Sequence, residues 1–161
     1  PDIELAETQV SAVANAVLRN EAIFDYATTY YYKNPNLGNT IPTITDADYT
    51  DFKQFLKTKK FNLDTETEVN LKKTLAAAKK EKIDESITAE YQQLLNAIQK
   101  SEWNALDKNQ KEIKNLLLDE IIKRYQYQEG LYQYYIKSNP EIKKAVSVLS
   151  TSAEYNSILK L

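Results

Sequence analysis

From Lys111 to Lys137 the chain reads KEIKNLLLDEIIKRYQYQEGLYQYYIK, and no other stretch limits the fold as tightly. Wound at about 100° per residue, its polar positions Asn115, Asp119, Lys123, Gln126, Gly130, Gln133 and Lys137 fall on one narrow stripe. Ile113, Leu116, Leu117, Leu118, Ile121, Ile122, Tyr125, Tyr127, Leu131, Tyr132, Tyr134, Tyr135 and Ile136 occupy the rest. A surface helix needs an apolar face little wider than about 100°, whereas this one spans about 240°. The pattern predicts a central helix over about 108–137, packed by neighbours on most of its sides.

A chain of 161 residues is long enough to bury a core around such a helix in one domain, residues 1–161. With 42% hydrophobic and 27% charged residues it belongs with globular rather than disordered chains. Two glycines and four prolines are too few for many short strands joined by tight turns. A net charge of −2, with no run longer than two basic residues, argues against a nucleic-acid partner. No apolar run approaches the roughly 20 residues that span a bilayer. The lack of cysteine excludes thiolate chemistry, and the lack of histidine removes the commonest general base and metal ligand. Nothing in the chain calls for a cofactor. It opens at Pro1 and contains no methionine, as after removal of an initiator or in a piece of a longer protein.

Residues 1–6 read as an extended lead-in. Thr8 to Tyr32 predicts one helix, with Val10, Val13, Ala14, Val17, Leu18, Phe24, Tyr31 and Tyr32 on one side and Ile23, Tyr26 and Tyr30 widening the apolar surface toward its far end. Pro35, Gly38 and Pro42 mark Lys33–Thr45 as a loop. Thr45 is placed to cap a short helix carrying Phe52, Phe55 and Leu56, whose end is the basic run Lys57–Lys60. Thr65 to Glu68 has capping-box spacing ahead of Val69, Leu71 and Leu75. Ile87, Tyr91, Leu94, Leu95 and Ile98 predict a further helix, with a break between Ser101 and Asp107 and Asp107 as cap of the central helix. Asn139 and Pro140 open a helix burying Ile142, Ala145, Val146 and Leu149, and Thr151 begins a last one with Tyr155, Ile158 and Leu159. No stretch alternates with period two. The expectation is all-α, six or seven helices.

Candidate chemistry is sparse. Asp46, Asp48 and Asp51 cluster at a helix start and are open to a cation, although capping and the helix dipole account for them as well. A hydrolase built on carboxylates would need two buried acids facing each other in a cleft. No motif places a serine beside a lysine. Twelve tyrosines are unusual, and Tyr30, Tyr31, Tyr127 and Tyr134 are candidates for an interaction surface, since tyrosine joins an apolar ring to a polar tip. Packing between helices is the plainer role for them. Gly130 lies on the polar stripe, where a close backbone approach and simple tolerance of a glycine account for it equally well.

Several segments together resemble one family. Pro1-Asp2-Ile3 is similar to an element near the end of the catalytic core of C-terminal-processing (tail-specific) serine peptidases. Arg19-Asn20, Ile23-Phe24-Asp25-Tyr26-Ala27 and Tyr30 resemble the helix that follows in the long forms from Bacteroidetes-type bacteria. Thr45-Asp46-Ala47-Asp48-Tyr49 with Asp51-Phe52, then Ile121-Ile122, Arg124-Tyr125, Tyr127-Gln128 and Gly130, resemble later helices in the same order. The resemblance implies the helical C-terminal region of a periplasmic or cell-envelope endopeptidase, with a PDZ module and a serine–lysine core upstream. Its partners would be its own core and PDZ module, protein or peptide substrates, and further copies of itself. No catalytic residue of that family falls on this chain, so the domain alone is expected to be inactive. A free-standing module binding peptides through tyrosine-rich helix faces is the competing expectation.

Overall fold

The computed structural model describes residues 10–38, 40–59 and 63–160, apart from the side chain of Glu154. The extended lead-in expected over residues 1–6 lies outside them, as do Thr8 and Lys60. Among the described residues there are eight helices and no strand: α1 (Ala12–Arg19), α2 (Ala22–Lys33), α3 (Asp46–Thr58), α4 (Glu66–Glu81), α5 (Asp84–Lys108), α6 (Gln110–Ser138), α7 (Pro140–Ser150) and α8 (Ser152–Leu159). The all-α expectation holds, with one helix more than the higher count.

The extra helix comes from the first segment. Asn20 leaves helical geometry and Glu21 adopts a left-handed conformation at φ 57°, so residues 12–33 form two helices rather than one. The break resets the phase. The buried face of α2 is Ala22, Ile23, Tyr26 and Ala27, while Leu18, Phe24, Tyr31 and Tyr32, expected to point inward, are exposed. The break predicted within Ser101–Asp107 falls later, at Asn109, because α5 runs unbroken to Lys108. Asp107 is therefore no cap: it lies inside α5, and its carboxylate accepts from Lys53 Nζ at 2.6 Å. Asn109 caps α6 without a side-chain bond.

Other boundaries follow local chemistry. Thr45 and Asp48 close a reciprocal capping box on α3, with Asp48 N–H donating to Thr45 Oγ1 at 3.1 Å and Thr45 N–H to Asp48 Oδ2 at 2.8 Å. Asn139 Oδ1 accepts from the amides of Glu141 and Ile142, with Pro140 at the first turn of α7. Lys82, left-handed at φ 60°, turns α4 into α5 and makes them a helical hairpin.

One core cluster joins α1, α2, α3, the end of α5 and the first part of α6. It contains Val17, Tyr26, Tyr49, Phe52, Leu56, Leu106, Ile113, Leu117 and Ile121 among others, all essentially closed to solvent. Ser11 donates to Glu112 and Tyr125 donates to the Asn34 carbonyl at 2.7 Å, so α1–α2 run broadly alongside α6 in the same direction. Two buried tyrosines lock the bundle through their hydroxyls. Tyr49 donates to the Leu106 carbonyl at 2.7 Å, and Tyr26 to the Asp48 carbonyl at 3.0 Å and to Asp51 at 3.2 Å. Burial, aided by the charges of Asp51 for Tyr26 and Asp107 for Tyr49, pushes both phenols up from their ordinary value.

The central helix is central over only part of its length. At Tyr127 the backbone turns to φ 57°, ψ −162°, a region that side chains rarely adopt. Ile113, Leu117, Ile121 and Ile122 before it are fully buried. After it, Tyr132 and Ile136 are 63% and 60% exposed. The expectation that neighbours cover most sides of 108–137 thus holds for the first arm alone. The face of α7 is also turned: Val148 is buried, while Val146 and Leu149, expected inside, face solvent.

Candidate functional site

Three places gather chemistry-bearing side chains. The first is the fold-back of α6. The Tyr135 hydroxyl donates to Asp119, a residue sixteen positions earlier. On a straight helix that interval spans about 24 Å, at 1.5 Å per residue. Two helical segments must therefore lie side by side, and Tyr127 stands midway between the bonded residues. Burial pushes the Asp119 carboxyl up; the Tyr135 hydroxyl and Lys123 pull the other way. Tyr135 is raised by burial and by the carboxylate it serves. Gly130 is buried at this bend rather than lying on an open polar stripe. A Cβ there would collide with the Gln126 side chain, whose Cβ is closest and whose Oε1 would stand 2.7 Å away. The Gln126 amide nitrogen is itself buried without a hydrogen-bond partner.

The sequence-predicted tyrosines divide between two neighbourhoods. Tyr30 is half-buried at 6.3 Å from Tyr26, while Tyr31 lies on the surface with its ring 4.9 Å from that of Tyr125 and 5.7 Å from Tyr32. Tyr127 is 79% exposed at the bend. Tyr134 is half-buried against Tyr135 on the second arm, at 5.8 Å. Beside the first group, Lys33 to Leu37 line a groove of about 340 Å³. Below it Arg124 is stacked on Phe24 at 4.1 Å and paired with Glu120 at 2.7 Å. Burial of Glu120 works to raise its carboxyl, and the cations Lys123 and Arg124 outweigh it, so the net shift is downward.

The second place was not foreseen. Glu68 of α4 is wholly buried and Glu102 of α5 nearly so. Gln99 Nε2 donates to Glu68 Oε1 at 3.0 Å and Lys72 Nζ sits 3.2 Å from the same oxygen, while Glu68 Oε2 has no partner. Thr65 donates its hydroxyl to Glu102. Thr65 also accepts from the Glu68 amide at 3.4 Å, but the Glu68 carboxylate turns inward, so the predicted capping box is one-sided. Burial raises the Glu102 carboxyl and the adjoining Glu68 charge adds to it, against the Thr65 bond and Lys72. Two facing buried acids are what a carboxylate hydrolase requires, but Glu68 is sealed from solvent and both groups are occupied by Lys72, Gln99 and Thr65. They tie the hairpin together. The signal was present: Glu102 continues the apolar i, i+4 series Leu94, Ile98, and precedes Leu106 by four.

The third is the acidic helix start. Asp46 accepts from Lys114 at 2.7 Å and Gln110 at 2.8 Å, bonds that hold its carboxyl below the usual range. Asp48 closes the capping box, and Asp51 pairs with Lys33 at 3.1 Å. Each acid has its own protein partner, and among the described residues no three acids converge as a metal site. Asp46, Gln110 and Lys114 line an open cleft of about 490 Å³ between the loop after α2 and α6.

Comparison with known proteins decides the family. Residues 13–149 match the model of the C-terminal helical domain of probable PDZ-proteases, and so cover every helix from α1 to nearly the end of α7. The chain belongs to that family. No curated protein and no solved structure matches it. The family is one of probable PDZ-proteases, which associates the chain with proteolysis in general and with a protease core and a PDZ module. No helix among the described residues is long and apolar enough to cross a membrane.

Proposed function

We propose that this domain braces the catalytic core of a tail-specific serine endopeptidase, an enzyme of the periplasm or cell envelope that cuts proteins from their C-termini. On this reading residues 1–161 are one non-catalytic domain, and the serine nucleophile and lysine base lie in the preceding core. One observation carries it. The core cluster is closed, yet the second arm of α6 with α7 presents Tyr127, Tyr132, Ile136, Val146 and Leu149 to solvent at 55–79% exposure. Large apolar side chains on one stretch of chain are the mark of an interaction surface. The protease core and PDZ module are the nearest partners for it, and enclosing substrate or joining subunits would use the same surface. The test is the full-length protease carrying Tyr132→Asp and Ile136→Asp together. Peptidase activity should fall and the helical domain should melt separately from the core; unchanged activity with one shared transition contradicts the proposal.

A second reading rests on Tyr31. Its ring is packed on Tyr125, whose hydroxyl donates to the Asn34 carbonyl at the open groove of Lys33 to Leu37, a platform suited to an extended peptide; Tyr30 is half-buried next to it, and Tyr127 and Tyr134 belong to the other neighbourhood. Binding of unfolded peptides by the isolated domain, lost in Tyr31→Ala, would favour it.

A further inference from the structure

The bend in α6 departs from the sequence around it. Residues 111–137 carry an unbroken helical pattern, and the bend at Tyr125-Gln126-Tyr127-Gln128-Glu129 contains no glycine, proline or capping residue. Two defects meet there. Tyr127 is held at φ 57°, ψ −162°, and the Gln126 amide is buried without a partner, while the Gln126 side chain fills the space that any side chain at position 130 would need. A straight helix removes both and frees that space. Residues i and i+4 then stand with Cβ atoms about 5–6 Å apart, so Gln126 and a side chain at 130 fit together. Holding the arm back are the Tyr135–Asp119 bond and the burial of Leu131 at 6%, outside the main core cluster.

We infer that α6 opens at Tyr127 into one continuous helix and that two copies of the chain exchange their C-terminal arms, residues 128–160. Exchange is the form in which straightening loses nothing. Asp119 of one copy receives Tyr135 of the other, Leu131 is buried again in the equivalent place, and both hinges are relieved. Strained short hinges are the usual origin of such swaps. The occupant of the vacated arm site is a second copy because only the identical arm restores the same contacts. The inference rests on the packing of this domain and not on the peptidase it accompanies, so its failure leaves the bracing role untouched.

Gly130→Ala separates the two forms. In the folded-back chain the new methyl meets Gln126, whereas in the straight helix alanine is favoured over glycine. The 161-residue chain and its Gly130→Ala and Tyr127→Gly variants are compared by light scattering after refolding over a range of concentrations. Gly130→Ala should tighten dimerisation by about tenfold, and Tyr127→Gly, which tolerates the bend, should weaken it by about as much. Because the chain has no cysteine, Asp119→Cys in one tagged copy and Tyr135→Cys in another can be refolded together and joined with a short bismaleimide. A cross-link between copies in the dimer fraction is expected. Monomers at all concentrations in all three chains overturn the inference. So does a dimer whose single-cysteine copies never cross-link while the doubly substituted chain links only within itself.

Discussion

The two arms of α6 have similar apolar content and different circumstances. Before Tyr127, Ile113, Leu117 and Ile121 are closed off in the cluster they form with α1, α2, α3 and the end of α5, and Ile122 is buried outside that cluster. After it, Leu131 is buried but Tyr132 and Ile136 face solvent. A helix with hydrophobic residues on most of its circumference is stable only if its surroundings supply as many surfaces as it presents. The first arm finds them within the domain, and the second does not. A wide apolar face therefore marks demand for partners, and says nothing of whether the same chain provides them. The protease core and PDZ module of this family are the partners we propose for the uncovered arm.

Truncation of side chains should expose the contrast most strongly. Leu117→Ala or Ile121→Ala should cost about 2–5 kcal/mol of unfolding free energy, the range for emptying a packed aliphatic site. Tyr132→Ala and Ile136→Ala should stay within about 0.5 kcal/mol, as exposed positions do. Urea denaturation followed by far-UV circular dichroism measures both. Equal losses in the two arms would break the comparison.

A smaller effect distinguishes the polar ties. Removing the Tyr49 hydroxyl in Tyr49→Phe leaves the Leu106 carbonyl without its donor and should cost about 1–3 kcal/mol. Lys33→Ala, which breaks an ion pair with both partners half exposed, should cost about 0–1 kcal/mol.

The acid pair of the α4–α5 hairpin gives a test in pH. The native state holds a proton on Glu102 more tightly than the unfolded chain does, so this group makes stability fall as pH rises from the ordinary glutamate value through its raised native one. Asp119, also raised, acts in the same sense. Glu120, lowered by Lys123 and Arg124 against its burial, acts in the opposite sense and loses its contribution as pH falls. Glu102→Gln keeps an acceptor for Thr65 and offers a permanent donor toward the orphan oxygen of Glu68. Its stability should match or exceed that of the parent at neutral pH, with the fall above the glutamate range flattened. A steeper fall in the variant would contradict buried Glu102 as the source of that fall.

The sequence made some of these elements plain and hid others for physical reasons. Caps at Thr45, Thr65, Asn139 and the proline at 140 are local rules, and each stands where it was expected. The bends at Glu21 and Tyr127 carry no such mark, because both occupy left-handed conformations in residues that favour helix or are neutral to it. Tertiary packing imposes them, and with them the phase of α2 and the exposure of the second arm. Glu68 and Glu102 lie 34 positions apart, so only the anomaly of an acid on an apolar stripe announced them. The tyrosines were visible as a set. Which of them stay open, Tyr127 and Tyr31 rather than Tyr30 and Tyr134, depends on how the bends turn the helices.

Native-state hydrogen exchange along α6 tests most directly whether the packed core ends at Tyr127. Amides of residues 113–122 should open only with the whole domain, and those of residues 131–138 should exchange through a local opening at far lower free energy, unaffected by mild denaturant. One uniform protection level from Ile113 to Ser138 would mean that the two arms form a single cooperative unit, and would contradict the account.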